Sequence, residues 1–557
     1  MAADPVRITP LGGLGEVGKN MTVFEYRDRM VLLDTGLTFP RDDMLGIDIV
    51  LPDFGYVAER VEKLDAIVLT HAHEDHIGAL PYLLREIGTS AEVWGTRLTL
   101  GLVKSKLDEH GLTPHVDLVE IKPEGGRVQV GPFEMEFMRV THSVPDAVAV
   151  AFHTEFGPII HTGDFKLDPT PIDNRPTDLA RLRALGDAGV ALLMSDSTNA
   201  EVPGSTASER TVGVSLREII SAAPGRVIVT AFSSHVHRLQ QVVDAAVDNG
   251  RVVAIVGRSM NRNFNIARNL GYADVPDDVI IKPRRLDEFM HHQIVVICTG
   301  SQGEPMSALT RIAGGTHQSI QIHSTDTVVI SARAIPGNEG KVNETINRLA
   351  RQGARVLTDS SHYVNASGHA SAEDLRVMLE TVRPRSFMPV HGEYRMLQAH
   401  ARIAEETGVA PHAVRIADNG TVLELDAEGL SVEGQIETGI ILVDGFNMGD
   451  PGDVVLRDRR HLATDGVVIV VATLAADTAE IIAPPEVILR GLAAPDEDDE
   501  LLVEQARLAV DRVLAECQEH RTTEVHLVQQ QLHDALAEMV SRLTGKRPMV
   551  LPIVVEV

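Results

Sequence analysis

The 557-residue chain has little cysteine, little positive charge and no long apolar run. Its two cysteines, Cys298 and Cys517, lie far apart and form no Cys-x-x-Cys pair, which argues against a disulfide framework or a thiolate zinc site. There are 51 Lys and Arg against 79 Asp and Glu, a formal charge of -28. Bulk polyanion repels such a chain, so a histone-like DNA coater is excluded, whereas nucleic acid as a substrate is not, because local charge can differ from the total. The longest apolar run, near Gly466–Ala476, is about eleven residues, well short of the ~20 that span a bilayer. Met1-Ala2-Ala3-Asp4-Pro5 is not a charged segment followed by an apolar one, so no signal peptide is expected. Internal repeats and low-complexity tracts are not found either. These absences predict a soluble, cytoplasmic protein with no membrane partner.

What is present is a globular balance. Hydrophobic residues make up 44%, and at ~150 residues per domain the length suggests roughly three to four domains. From about 6 to 200, short β-rich runs alternate with turns, and helices are predicted over Asp53–Lys63, Ile77–Ile87 and Arg97–His110. From about 210 the pattern becomes regular β/α alternation, which predicts a parallel sheet with helices on its faces. Residues 226–355 carry 15 Lys and Arg against 11 Asp and Glu, so a polyanion should sit against this segment. Residues 436–465, rich in Gly and Asp around Asp450-Pro451-Gly452-Asp453, read as a connector. The tail reads as a small βαβ-type domain, with the acidic run Asp496–Glu500 as the start of a helix.

The strongest chemical signal is His71-Ala72-His73-Glu74-Asp75-His76, between the apolar strand Ala66–Leu69 and a helical pattern from Ile77. A lone histidine is usually a packing or surface residue. Four potential ligands in six residues at a strand-to-helix turn serve no packing purpose and would be costly if buried without partners. His71 and His73 can point to one side of an extended segment, while Asp75 and His76 turn elsewhere, which suits two metals rather than one. Imidazole and carboxylate without thiolate suit zinc, with manganese or magnesium as alternatives. His142, Asp164 and His391 also end strands, beside a glycine in the last two cases, and together complete a single candidate site.

The His-x-His-x-Asp-His run with His142, Asp164 and His391 resembles the metallo-β-lactamase fold. Gly12-Gly13-Leu14-Gly15-Glu16-Val17-Gly18-Lys19-Asn20, Leu33-Asp34-Thr35-Gly36, Ser195-Asp196-Ser197-Thr198-Asn199, Ser367-Gly368-His369-Ala370 and Pro389-Val390-His391-Gly392-Glu393 resemble its β-CASP nuclease branch. Within that branch the chain is most similar to the bacterial ribonuclease J family, including Thr299–Met306 and Ile335–Glu339. The resemblance implies an α/β architecture: a four-layer αββα metallo-β-lactamase domain in two parts (1–205 and 371–435), an inserted parallel-sheet β-CASP domain (206–370), a linker (436–465) and a small α/β C-terminal domain (466–557). It implies that His71, His73, His142 and Asp164 hold one metal, that Asp75, His76, Asp164 and His391 hold the other, and that Asp34 orients a ligand histidine. Two cations would activate water for in-line attack on a phosphodiester, with Asp75 helping to orient it. His369 is the candidate general acid and Asp196 the carboxylate that holds it.

The same resemblance suggests substrate contacts at Ser233, Ser234 and His235 and at Asn365, Ala366, Ser367, Gly368 and His369, with Arg258 and Ser259 as weaker candidates. His235 and Asn365 depart from the family's usual Asn and His. The implied function is a metal-dependent ribonuclease with 5′→3′ exonuclease and some endonuclease activity, preferring 5′-monophosphate ends, in RNA maturation and decay. A homodimer or tetramer and contacts with other RNA-degradation proteins are implied as partners. A repair-type β-CASP DNA nuclease is the alternative, disfavoured because His391 matches the RNA-cleaving members. The large insertion argues against a small-molecule hydrolase, and the full ligand set argues against an inactive scaffold.

Overall fold

The computed structural model describes residues 4–557 except 42, 89–90, 336, 446, 450–451 and 493–498, and only the backbone of 447, 452, 453, 499 and 500. The chain divides into two compact units: residues 1–38 with 50–441, and residues 39–49 with 442–557.

In the first unit an eight-stranded and a six-stranded sheet face each other. Their shared core includes Ile8, Phe24, Val31 and Leu33 from one sheet and Phe137, Val148, Val150, Phe152 and Met194 from the other. The Phe24 and Phe152 rings stack at 4.2 Å between centroids. Strand Val148–His153 explains the next layer: Val148, Val150 and Phe152 fill the inter-sheet core, while Ala149 and Ala151 point to the opposite face. Side chains alternate along a strand, so a strand buried on both faces must be apolar throughout. On that outer face, helices Leu179–Ala188, Ala372–Val382 and Tyr394–Glu406 contribute Leu182, Leu379 and Ile403.

The inserted block is a six-stranded sheet whose neighbours all pair in parallel. Its strands Val227–Thr230, Val252–Val256, Ile294–Cys298 and Thr327–Ile330 are apolar along their length, as burial beneath helices on both faces requires.

Three expectations change in detail. The helix predicted over Asp53–Lys63 is a short helix, Gly55–Ala58, and a 3-10 turn, Val61–Lys63. The helix predicted over Ile77–Ile87 is broken into Glu74–Ile77 and Leu80–Ile87. Gly78 at the junction is crowded: a Cβ there would lie 2.4 Å from both the Glu74 carbonyl oxygen and the Leu37 side chain. The Ala79 N–H then leaves the helical ladder and donates to the Thr35 carbonyl at 2.8 Å. Residues 436–465, expected as a connector, instead hold strand Ile440–Asp444, strand Asn447–Gly449 and helix Gly452–Thr464.

The second unit has its own core. Strand Val467–Leu474 pairs antiparallel with Ile481–Arg490 and parallel with Met549–Glu556. Val468, Val470 and Ala472 pack against Val510, Leu514, Leu532 and Leu536 from helices Asp499–Glu519 and Val525–Thr544. Of the acidic run, Asp496, Glu497 and Asp498 lie outside the described residues, and the helix is described from Asp499. Among the described residues, no helix is long and apolar enough to cross a membrane.

Candidate metal centre

The predicted donors gather at the C-terminal ends of strands in the two facing sheets. Strand Leu64–Val68 leads to His71–His76, strand Phe133–Arg139 to His142, strand Ile159–His161 to Asp164, and strand Ser386–Val390 to His391. Asp34 and His391 occupy left-handed backbone conformations (φ 59° and 52°), which cost non-glycine residues of order 1–3 kcal/mol each. Gly36 allows this crowding, because a Cβ there would lie 1.6 Å from the Asp75 carbonyl oxygen.

Three groups of possible donors form and share the Asp164 carboxylate; the third joins Asp164 and His391 to Asp196 and His369, and the other two match the expected ligand sets. One is His71, His73, His142 and Asp164; the other is Asp75, His76, Asp164 and His391; within each, the donor atoms lie within 4.8 Å of one another. In the first, His73 Nδ1 lies 3.1 Å from His71 Nε2 and 3.0 Å from His142 Nε2. The His142 tautomer is fixed: its Nδ1–H donates to the Gly368 carbonyl at 2.7 Å, so Nε2 offers a lone pair. Burial holds His71 and His142 well below the usual histidine value and takes His73 down to about 4, so all three rings are neutral. Converging neutral ring nitrogens cannot satisfy one another with the single proton each carries, and a cation resolves this.

In the second set, His76 Nδ1 donates to Asp34 Oδ2 at 2.7 Å, turning Nε2 toward Asp164 Oδ2 at 3.2 Å. Burial opposes charge on His76, but Asp164, Asp34 and Asp75 outweigh it and raise the ring well above the usual value. His391 Nδ1 lies 2.8 Å from Asp164 Oδ1. Its Nε2 is buried without a hydrogen bond, 3.4 Å from Asp75 Oδ2. An orphaned imidazole nitrogen facing carboxylates fits a divalent cation. The donors therefore form a divalent-metal binding site.

His369 and Asp196 lie beside this cluster. His369 Nδ1 is 2.8 Å from Asp196 Oδ2, and Asp196 Oδ1 accepts from the Thr198 N–H and hydroxyl. Burial disfavours charge on His369, yet Asp196 overcomes it and raises the ring's pKa. The His369 side chain is 21% exposed against 1% for Asp196, so the ring keeps an open side.

Other predicted residues fall into two groups. Ser367 and Gly368 belong to the cluster: Ser367 Oγ accepts from Asn199 Nδ2 at 2.8 Å, and Gly368 grips His142. Ala366 is buried beside them. Ser233 Oγ accepts from Asn263 Nδ2 at 3.1 Å, and Ser234 is half-buried. His235 is buried with Nε2 3.4 Å from Glu209, and Asn365 Oδ1 lies 3.5 Å from Arg238. Arg258 and Ser259 begin helix Arg258–Asn269; among the described residues they make no hydrogen bond or ion pair with the cluster.

Thr70, Asn20 and Asn199 also support the site, beyond the residues expected from the sequence. Thr70 donates its N–H and hydroxyl to Asp34, each at 2.8 Å, and its Oγ1 lies 3.1 Å from His71 Nδ1. Asn20 Nδ2 lies 3.1 Å from His76 Nε2. Asn20 and Asn199 end the segments Gly12–Asn20 and Ser195–Asn199, and that placement is their signal in the sequence.

Residues 14–202 match the family described as the metallo-beta-lactamase superfamily, and residues 354–414 match the Zn-dependent metallo-hydrolase RNA specificity domain. Residues 224–349 match the ribonuclease J beta-CASP domain, and residues 454–557 the ribonuclease J C-terminal domain. The chain is 43% identical over 552 residues to ribonuclease J of Mycobacterium tuberculosis, covering 99% of this chain and 97% of that protein. The chain belongs to the ribonuclease J family. Ribonuclease J of Thermus thermophilus is 43% identical over 558 residues, covering 99% and 96% of the two chains. Ribonuclease J2 of Bacillus subtilis is 40% identical, covering 99% of each. A solved structure of a protein of unknown function from Enterococcus faecalis shares the fold, with a TM-score of 0.53 at 14% identity over 77% of this chain and all of that one.

Proposed function

We propose that this hydrolytic ribonuclease cleaves RNA from 5′-monophosphate ends in the 5′→3′ direction, with some internal cleavage, in RNA maturation and decay. Asp164 carries the reading: its Oδ1 faces His391, while its Oδ2 faces His76 at 3.2 Å and His71 at 3.6 Å, so one carboxylate joins two donor sets. His71, His73, His142 and Asp164 would hold one divalent cation, and Asp75, His76, Asp164 and His391 a second. The donor chemistry favours zinc, with manganese and magnesium as alternatives. Such cations, when bound, acidify water and offset charge developing on a phosphodiester.

The chain's own residues do the rest. Asp34 holds the His76 tautomer through Nδ1. Asp75, with 29% of its side chain exposed, is the carboxylate that orients the attacking water. His369 holds a proton against Asp196 through Nδ1 and turns its other nitrogen to the leaving oxygen. Ser233, Ser234, Arg258, Ser259 and the segment Asn365–Gly368 are our substrate contacts; His235, turned toward Glu209, is the weakest of them. The domain division, apart from a linker at 436–465, where strands and a helix lie instead, is our reading, and the matched segments support its order.

We assign the second unit to self-association as a homodimer or tetramer. Leu551, Ile553 and Val555 lie on one exposed face of strand Met549–Glu556, at an edge of its sheet. Contacts with other RNA-degradation proteins and residence in the cytoplasm belong to the same reading.

The test digests 5′-monophosphate RNA, 5′-triphosphate RNA and single-stranded DNA with metal-loaded, chelated and His76→Ala protein. Expected are mononucleotide release from the 5′-monophosphate RNA, slower attack on the other two, and loss of cleavage on chelation or substitution with the fold retained. A fully active chelated protein would overturn the two-metal reading.

A further inference from the structure

His369 can transfer a proton productively only if its backbone is fixed, and it sits on a loop. The second half of that loop is gripped in plain view: His142 Nδ1 holds the Gly368 carbonyl, and the His369 carbonyl accepts from Thr206 Oγ1 at 2.8 Å and Asn199 Nδ2 at 3.2 Å. The first half is gripped from the inserted domain. The Val364 carbonyl accepts from Ser331 Oγ at 2.5 Å and from Arg238 Nη1 at 3.0 Å. The same Nη1 also donates to the Ser331 carbonyl at 3.0 Å and lies 3.5 Å from Asn365 Oδ1.

Arg238 is fully buried. It is held by a two-point ion pair with Glu209, Nε to Oε1 at 2.5 Å and Nη2 to Oε2 at 2.9 Å. Glu209 is in turn tied to the metallo-β-lactamase part, since its N–H donates to Asp168 Oδ2 at 2.9 Å. A buried ion pair adds little net stability over a well-packed apolar pair, because desolvation cancels most of the attraction. What it supplies here is direction. The planar guanidinium, locked at one edge by Glu209, presents its remaining N–H groups to the base of the loop at a fixed angle. Strand end Ser331, helix Val236–Asp248, helix Glu209–Ala222 and the His369 loop thus meet at one side chain.

We infer that Arg238, oriented by Glu209, is a positioning residue for His369: it fixes the Val364 end of the loop so that the ring stays aligned on Asp196 and the cleft. The inference rests on the proposed role of His369 as proton donor. Neither Arg238 nor Glu209 touches substrate in this account, and neither contributes to the metal donor sets.

The experiment compares kcat, KM and bound metal for the Arg238→Met/Glu209→Gln double variant, His369→Ala and the triple combination, all as full-length metal-loaded protein. Removing both charges avoids leaving one buried and unpaired. The double variant should lose roughly 10–100-fold in kcat through misplacement of the acid, with metal content unchanged and KM moving far less than kcat. In the His369→Ala background the same double change should cost less than about twofold, because there is no acid left to position. Ser331→Ala, which removes one grip on Val364 and no charge, should fold normally and lose a smaller part of kcat by the same pattern. Additive losses in the combined variant, or an unchanged kcat in both Ser331→Ala and the double variant, would overturn the inference. A fully active His369→Ala enzyme would overturn the donor reading and this inference with it, and is told apart by that single variant.

Discussion

Asp34 Oδ2 lies 2.7 Å from His76 Nδ1, and both side chains are buried to within 1%. The carboxylate also takes the N–H and hydroxyl of Thr70, so it fixes the His76 ring and the start of the His71 turn together. Asp34→Asn keeps the shape but loses the charge. Metal affinity is expected to fall roughly 10–100-fold, the usual cost of removing a carboxylate behind a ligand histidine. Metal content after dialysis against graded chelator measures this, with circular dichroism showing the fold intact. Unchanged retention would remove Asp34 from the site's support.

Gly368→Ala tests the loop's close approach to the metal site. A Cβ at 368 would lie 2.6 Å from His142 Cε1 and 3.0 Å from Ser143 Oγ. The loop must retreat or the ring must turn, so kcat should fall by at least roughly tenfold. Single-turnover cleavage with saturating protein reads this directly, and wild-type turnover would mean the loop accommodates the methyl.

Stability at acid pH should report Glu136. Arg181 donates to it through Nη2 at 2.8 Å, as well as through Nε, and His153 Nε2 lies at 2.9 Å. The hydrogen bond from Arg181 outweighs burial and holds the carboxyl below its ordinary value of 4.5. A folded value below the unfolded one stabilises above the unfolded pKa and is lost as pH falls through the folded one. Glu136→Gln should therefore cost about 1–2 kcal/mol at pH 7, and the gap should narrow as pH drops below about 4.5. Urea midpoints of both proteins from pH 7 to 3.5 check the sign; a gap that widens toward acid would be contrary to it.

Ile553→Lys tests self-association. Ile553 is 47% exposed, between Leu551 and Val555 on the outer face of its strand, while Val550 faces the core. A charge there should shift light-scattering mass toward the monomer and leave the melting of the second unit within a few degrees. An oligomer that keeps its subunit number would exclude this face from the contact.

Much of this architecture was legible in residue patterns. The regular β/α alternation after about residue 210 was the clearest signal, and the apolar strand Ile294–Cys298 sits in the parallel sheet it predicted. The metal cluster was legible because no packing demand explains His71–His76. Helix Gly452–Thr464 was not. Val454, Val455 and Leu462 are exposed, so no continuous apolar stripe marks it. It is anchored by Arg459, which donates to the Leu45 carbonyl at 3.2 Å and to Asp444, contacts between residues remote in sequence. The split of the predicted Ile77–Ile87 helix was hidden for a related reason, since it depends on the Ala79 N–H meeting the remote Thr35 carbonyl. The burial of His235 on Glu209 likewise depends on a partner that spacing does not reveal.

The donor sets draw on residues from His71 to His391, and strand Val6–Gly12, paired on one side with the nearby Met21–Tyr26, finds its other neighbour only at Thr421–Leu425. During synthesis the first sheet lacks an edge strand, and the second donor set lacks His391, until about three-quarters of the chain exists. At ~5–20 residues per second, reaching residue 425 takes on the order of 20–85 seconds. Throughout that interval the growing polypeptide remains beside the message that encodes it. Closure of the site over such a span of sequence thus makes it a late product of synthesis rather than one of the first parts of the molecule to take shape.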